Sequence, residues 1–164
     1  QRFEEGDCFV PELILAGEML KEISAKVKPL IQEQTGSTEK LGKIVFGTVE
    51  GDIHDIAKDI VAFMLDINGF EVYDLGVDVP AATFVAKVQE TGATIVGLSG
   101  FLTLAYDPMK ETVAALKAAD LTDVKVMIGG GQIDDQIRVY TGADAYGRDA
   151  MTAVSLAKQW SGAA

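Results

Sequence analysis

Hydrophobic and polar positions follow two different periods along the chain, and the period changes at a polar stretch that contains glycine, residues 33–43. Before this stretch, apolar residues recur mostly at intervals of three to four, as in an amphipathic helix. Pro11 suits the first turn of that helix, and Pro29 should kink it or end it nearby. Its apolar stripe must be buried against the following domain, a partner or further helices of a cap that precedes this sequence, and we expect the last of these.

After residue 42, short apolar runs alternate with helical patterns. The predicted strands are Lys43–Val49, Phe70–Gly76, Ala93–Ser99, Val124–Gly130 and Ala143–Gly147, and the predicted helices are Ile56–Gly69, Pro80–Gly92, Asp107–Asp120, Asp134–Thr141 and Arg148–Trp160. Because parallel strands need crossover helices, five alternations predict an α/β fold with a five-stranded parallel, doubly wound sheet of the flavodoxin-like or Rossmann-like kind. The predicted organisation is a partial helical cap (1–36), a linker (37–42) and an α/β domain (43–164).

The composition narrows the classes of partner. A net charge of −11, with 25 acidic and 14 scattered basic residues, argues against nucleic acid and against an anionic membrane surface. The single cysteine, Cys8, cannot form an internal disulfide, which fits a reducing cytoplasm. No apolar run is long enough to span a membrane, and the N-terminal residues do not resemble a signal peptide. We therefore expect a cytoplasmic protein without membrane or nucleic-acid partners.

Three unusual loops follow predicted strands at the edge where doubly wound sheets bind ligands. The first, EGDIHD (50–55), holds the only histidine, His54, between acidic residues. The second, SGFLTLAY (99–106), brings the hydroxyls of Ser99 and Thr103, and the third, GGGQI (129–133), brings three glycines that let a ligand approach the backbone closely. The triple glycine is not a G-x-G-x-x-G pattern, so a dinucleotide site is poorly supported.

The order and spacing of these loops resemble the cobalamin-binding domain of corrinoid proteins, including the module of methionine synthase. That family carries D-x-H-x-x-G, then S-x-L, then G-G at these topological positions. The upstream segment also looks like the helical cap of corrinoid proteins that serve methyltransferases. The matching residues here are Asp52, His54 and Ala57, then Ser99 and Phe101, then Gly129 and Gly130.

The resemblance implies a cobalamin or related corrinoid whose nucleotide tail is buried against the sheet and whose cobalt takes His54 as its lower axial ligand. Asp52 would accept the other ring N–H of His54. The cofactor would supply the methyl-transfer chemistry, and the chain alone would have no catalytic residue. Implied partners are a substrate-specific methyltransferase, a second methyltransferase acting on tetrahydrofolate or a thiol, and a reductive activator. Residues expected to contact the cofactor are Asp52, His54, Ala57, Ser99, Phe101, Thr103, Gly129 and Gly130.

Three positions depart from the family pattern. Ala57 replaces a glycine and adds a methyl group near the expected nucleotide tail, and Phe101 replaces a leucine with a larger side chain. In some relatives a hydroxyl residue continues the His–Asp pair, and this position is Ala105 here. The proton relay should therefore be shortened, unless Thr103 or Tyr106 takes its place.

Other interpretations stay open at the level of sequence. Asp52 and Asp55 would also suit capping of the helix that begins near Ile56, and we assign Asp55 to that role. Two other functional classes share the topology: the cobalamin domain of a mutase, and a sensor module, either cobalamin-binding or of the receiver type. The cap-like helix argues against the mutase. The receiver is disfavoured because the loops lack its phosphoacceptor and lysine.

Overall fold

The structure, a computed structural model, describes residues 40–163 and six helical positions nearer the N-terminus: Leu15, Met19, Glu22, Ile23, Lys26 and Val27. The remainder of the predicted N-terminal helix lies outside the described residues, as do Cys8, Pro11 and Pro29. The chain divides into two compact units, Gln1–Thr38 and Glu39–Ala164. The second unit contains the sheet and the candidate site.

The second unit alternates strands and helices as predicted, and no end of an element differs from its prediction by more than two residues. The strands are β1 (Gly42–Thr48), β2 (Phe70–Asp74), β3 (Ile95–Ser99), β4 (Lys125–Gly129) and β5 (Ala145–Gly147). The helices are α1 (Ile56–Ile67), α2 (Ala81–Thr91), α3 (Tyr106–Ala118), α4 (Asp135–Thr141) and α5 (Ala150–Ser161). One element was not predicted, a 3₁₀ turn over Thr103–Ala105 that leads into α3.

Side-chain caps and glycines set several helix ends. The carboxylate of Asp134 accepts the N–H groups of Gln136 and Ile137 at the start of α4, and Asp149 accepts that of Thr152 at the start of α5. Each such cap satisfies N–H groups that the helix leaves free and is worth about 1 kcal/mol. Gly142 ends α4 at a φ of 74°, in the left-handed region that favours glycine. These capping residues therefore fix where α4 begins and ends and where α5 begins.

The five strands form one parallel sheet in the order β2-β1-β3-β4-β5. From β1 the chain adds β2 on one side of the sheet and β3, β4 and β5 on the other, so the strand order reverses between β1 and β3. Doubly wound sheets bind ligands at this point. The register pairs Thr48 with Ser99, Ser99 with Gly129, and Gly129 with Gly147. These four residues therefore form a row across the carboxyl ends of β1, β3, β4 and β5.

Apolar side chains are buried on both faces of the sheet. One face packs against α2 and α3 through residues such as Phe84 and Met109, and the other packs against α1 and α5 through Leu65 and Val154. On the second face the Phe46 ring occupies the space above Gly97, where an added Cβ would lie only 2.2 Å from Phe46 Cδ2. A glycine in β3 therefore sets the position of a ring that reaches the functional edge of the sheet.

Candidate functional site

The loop between β1 and α1 turns Asp52 inward and His54 outward. The Asp52 side chain is 1% exposed, whereas that of His54 is 48% exposed. The Thr48 hydroxyl donates to the His54 carbonyl over 2.9 Å, and the Asp78 N–H donates to the Asp52 carbonyl over 3.0 Å. In return, the Gly51 N–H donates to the Asp78 carboxylate over 2.8 Å. These bonds tie the loop to the end of β1 and to the segment after β2.

The buried carboxylate of Asp52 is surrounded by N–H groups. Its Oδ1 accepts the His54 amide over 3.0 Å and lies 2.6 Å from His54 Nδ1. Its Oδ2 accepts the amides of Phe101 over 2.6 Å and Leu102 over 3.2 Å. Burial raises the pKa of Asp52, but the hydrogen bonds from His54, Phe101 and Leu102 outweigh it and lower the pKa from 3.8 to about 2. Asp52 is therefore a carboxylate at neutral pH.

This charge state decides the tautomer of His54. A carboxylate can only accept, so Nδ1 must carry the proton that points at Asp52, and Nε2 of the neutral ring keeps its lone pair. The Phe101 ring packs against the imidazole with ring centroids 4.6 Å apart and an angle of 34° between the planes. His54 thus offers one nitrogen ligand on a partly exposed ring that two neighbours hold. The predicted contact between Asp52 and His54 is present, and their roles toward cobalt stay predictions.

A cleft of about 190 Å³ opens at the same edge, between the sheet, α1 and the start of α5. Four of the predicted residues line it, namely Ala57, Ser99, Gly129 and Gly130. Its walls also contain residues that sequence reasoning missed, among them Phe46, Lys58, Leu98, Met127, Gly147 and Arg148. Small side chains at the strand ends and apolar side chains around them give the cleft a mostly apolar wall, as is usual for ligand pockets.

The predicted residues therefore fall into two groups and one exception. Asp52, His54 and Phe101 are joined by hydrogen bonds and ring contact, outside the cleft lining, whereas the four residues named above line the cleft. Thr103 belongs to neither group and lies exposed in the 3₁₀ turn. The wall formed by Gly147 and Arg148 was missed because the loop after β5 was not considered, although the same topological rule applies to it.

The triple glycine serves a purpose that we did not predict. A Cβ at Gly130 would lie 2.6 Å from the Gly100 carbonyl oxygen, and one at Gly131 would lie 2.3 Å from that of Phe101. Both glycines also have positive φ, 103° and 46°. Their missing side chains thus allow the backbone of the loop after β3 to approach closely, rather than only a ligand. Gly129 makes no such approach, since its Cβ would lie 3.3 Å from the Gly147 carbonyl oxygen.

The structure also bears on two further expectations, the shortened proton relay at Ala105 and the capping of α1 by Asp55. Neither Thr103 nor Tyr106 replaces the hydroxyl lost at Ala105, because the groups that bind Asp52 Oδ2 are the backbone amides of Phe101 and Leu102. Ala105 is instead buried, and a Cβ added at Gly100 would lie 2.4 Å from its Cβ. Asp55 stands at the N-cap position of α1 but makes no side-chain capping hydrogen bond there.

Lys58 is a buried cation in the wall of the cleft. Only 3% of its side chain is exposed, and its ammonium pairs with Asp59 at 2.6 Å and with Asp74. Burial lowers the pKa of Lys58, but the hydrogen bonds and charges of the two aspartates outweigh burial and raise it. Lys58 is therefore charged at neutral pH. A lysine one helical turn after His54, on the inward face of α1, was the available signal.

Within residues 40–163 and the six earlier positions, no group of three or more His, Cys, Asp and Glu side chains is arranged to hold a metal ion. His54 offers one nitrogen, which suits a metal whose other ligands belong to a macrocycle. None of the helices in the described part of the chain has the length and hydrophobicity of a membrane span.

Comparison with known proteins agrees with this site. The family model of the B12 binding domain matches residues 42–155. Dimethylamine corrinoid protein 3 of Methanosarcina mazei is 42% identical over 159 residues, which cover 96% of this chain and 95% of that protein. The solved structure of a cobalamin-binding protein from Desulfitobacterium hafniense DCB-2 is 46% identical, with a TM-score of 0.73, over 97% of this chain and 74% of that one.

A chain in the crystal structure of the methanol:cobalamin methyltransferase complex from Methanosarcina barkeri is also similar, with 28% identity and a TM-score of 0.70. The match covers 99% of this chain and 62% of that one. This chain therefore belongs to the B12-binding domain family, with corrinoid proteins as its relatives. The predicted family, fold and class of cofactor are confirmed.

Proposed function

We propose that this chain is the methyl-carrying corrinoid protein of a methyltransferase system. The observation that carries the proposal is the Asp52–His54 pair at the point where strand order reverses, with Nδ1 of His54 engaged and its Nε2 available. The cleft at the same edge is lined by Ser99 and Gly129, which leave room for an aromatic group. The residues present thus fit both parts of a corrinoid bound through an imidazole and an inserted tail.

In this proposal each residue has a separate task. His54 Nε2 would hold the cobalt, and the carboxylate of Asp52 would fix the tautomer and make the imidazole a better electron donor. Ala57, Ser99, Gly129 and Gly130 line the slot for the nucleotide tail. The cobalt of the bound corrinoid supplies a strong nucleophile that can accept and release a methyl group. The protein would position the cofactor, and Asp52 would set the electron density on His54 Nε2.

The relatives support the carrier role and the kind of partner. One relative is a dimethylamine corrinoid protein, and another is a chain in the structure of a methanol:cobalamin methyltransferase complex. Their similarity extends over at least 96% of this chain, including the segment before the sheet, which supports a corrinoid protein over the cobalamin domain of a mutase. A second methyltransferase and a reductive activator complete the proposed cytoplasmic system. The net charge of −11 favours partner surfaces with basic residues.

Reconstitution with hydroxocobalamin tests the proposal. After desalting, the wild-type protein should retain nearly one corrinoid per chain, and His54→Ala should retain part of it through the cleft with a shifted absorption spectrum. Asp123→Asn, at an exposed position in the turn before β4, is the control and should match the wild type. Loss of all corrinoid from the wild type would contradict the proposal, and an unchanged spectrum in His54→Ala would remove His54 as the ligand.

Filling the cleft tests the other half of the site. Gly129 lies in the cleft wall without positive φ, so Gly129→Val adds volume there with less backbone strain than a change at Gly130. The variant should retain less corrinoid than the wild type, while its circular dichroism spectrum stays the same. Equal retention by a folded Gly129→Val protein would show that the tail does not enter this cleft.

A further inference from the structure

Among the described residues, the Phe101 ring is the only aromatic side chain that packs on the His54 imidazole. It is a large apolar side chain that is 55% exposed, yet one of its faces lies on the imidazole, with a centroid distance of 4.6 Å. An exposed phenylalanine beside a metal ligand calls for a physical reason, since side chains of this size are usually buried. Its contact with His54 supplies that reason.

Phe101 is connected to His54 in two separable ways. Its backbone N–H donates to Asp52 Oδ2 over 2.6 Å, and Asp52 in turn holds His54 Nδ1. Its side chain packs on the imidazole directly, at an interplanar angle of 34°. Substitution of Phe101 by a non-aromatic residue other than proline removes the ring contact but keeps the amide. Mutation can therefore distinguish the effect of the ring from that of the carboxylate.

We propose that the Phe101 ring is a positioning residue that holds the His54 imidazole in the orientation that presents Nε2 as a ligand. This inference rests on the proposed function. The imidazole is fixed by Asp52 at one nitrogen only, so its ring is otherwise free to tilt in the solvent-exposed part of the site. A contact on its face restricts that motion before the metal arrives, and preorganisation of this kind strengthens binding.

The expected effect is moderate and measurable. Aromatic contacts of this geometry change equilibria by about 2- to 12-fold beyond the burial of area. Phe101→Leu keeps an apolar side chain and the backbone amide but has no flat face. We therefore expect the ratio of corrinoid with His54 on cobalt to corrinoid with His54 off cobalt to fall by that factor. Phe101→Tyr keeps the ring and should restore the ratio.

The first measurement uses the protein without corrinoid. Because His54 is the only histidine in the chain, its ring protons give a single set of NMR signals. The Phe101 ring current should displace these signals, Phe101→Leu should abolish the displacement, and Phe101→Tyr should preserve it. The control is Leu104→Ala, which removes an apolar side chain that is 76% exposed on the same loop. Signals that do not respond to Phe101→Leu would overturn the contact and the proposal with it.

The second measurement uses the protein loaded with hydroxocobalamin and reduced to cobalt(II). The nitrogen splitting in its electron paramagnetic resonance spectrum reports the fraction with His54 on cobalt. Phe101→Leu should lower that fraction at equal corrinoid retention, and Leu104→Ala should not. An unchanged fraction in Phe101→Leu, or an equal fall in Leu104→Ala, would refute the positioning role alone. If the wild type retains no corrinoid, the proposed function fails and this inference falls with it.

Discussion

Asp52→Asn removes a negative charge from the buried side of the candidate site while it keeps the size of the side chain. Two pairs of N–H groups face the carboxylate, one from His54 and one from Phe101 and Leu102. Asparagine has one oxygen, so one of the pairs must face its NH₂ group with donor against donor. The variant should therefore lose about half of the hydrogen bonds that position His54.

The magnitude follows from the pKa of Asp52. A fall from 3.8 to about 2 corresponds to about 2.4 kcal/mol of folding free energy at neutral pH, at about 1.36 kcal/mol per pKa unit. Buried donors left without an acceptor cost about 1–3 kcal/mol. The two contributions overlap, because the same hydrogen bonds lower the pKa. We expect Asp52→Asn to lower the free energy of unfolding by about 2–4 kcal/mol at pH 7.

Urea unfolding of wild type and variant between pH 7 and pH 3 measures this effect. The pKa of Asp52 is lower in the folded state, so its contribution is complete above the unfolded value of 3.8 and is lost as the pH falls toward about 2. The difference between the two proteins should therefore be constant from pH 7 to pH 5. At pH 3 about half of the carboxylate's contribution should be gone.

Asp78→Asn provides the matched comparison, because Asp78 is an exposed aspartate that also accepts a backbone N–H. Its substitution should change the free energy of unfolding by no more than about 0.5 kcal/mol, as is usual for surface positions. If Asp52→Asn lowers the free energy of unfolding by less than about 0.5 kcal/mol, the reasoning about Asp52 is refuted. A difference that does not shrink as the pH falls to 3 would refute the assignment of the charge.

Two glycine substitutions test the packing around the site. Gly130→Ala should destabilise the fold by more than about 2 kcal/mol, because positive φ costs about 1–2 kcal/mol and the new Cβ would also meet the Gly100 carbonyl oxygen at 2.6 Å. The control is Gly92→Ala, where φ is positive but no atom lies within 4 Å, so that only the cost of the positive φ applies. Equal losses of stability in thermal unfolding of the two variants would contradict this reasoning. Gly97→Ala should cost about 1–3 kcal/mol by displacing the Phe46 ring, and Phe46→Leu should recover part of that cost in a double-mutant cycle, whereas additive losses would show no direct contact.

The sequence contained enough to predict the sheet, because buried parallel strands and their helices have different periods of hydrophobicity. It also placed Asp52 and His54 together, since two residues in one short loop cannot lie far apart. The cleft was only half predicted. Gly129 was found because it ends a strand beside β3, whereas Gly147 and Arg148 were missed because the loop after β5 was not considered.

Contacts between distant segments were the larger omission. The amides that bind Asp52 Oδ2 come from residues 49 and 50 positions later in the chain, and any residue except proline supplies such an amide. No pattern of residue types can reveal them. The same holds for Gly130, where a side chain is excluded by the nearby backbone of Gly100 rather than by a ligand. Residue types thus indicated the chemistry of the site, while tertiary packing determined how it is supported.

The amides of Phe101 and Leu102 also bear on how this site can evolve. Support that comes from the main chain is indifferent to the side chains that carry it, so these two positions can exchange residues while the carboxylate keeps its hydrogen bonds. Only proline, which has no N–H, would remove one. The loop after β3 can therefore vary the surface that it presents while Asp52 keeps its charge and its bond to His54, and at position 101 the cost of such a change is confined to the ring contact with His54.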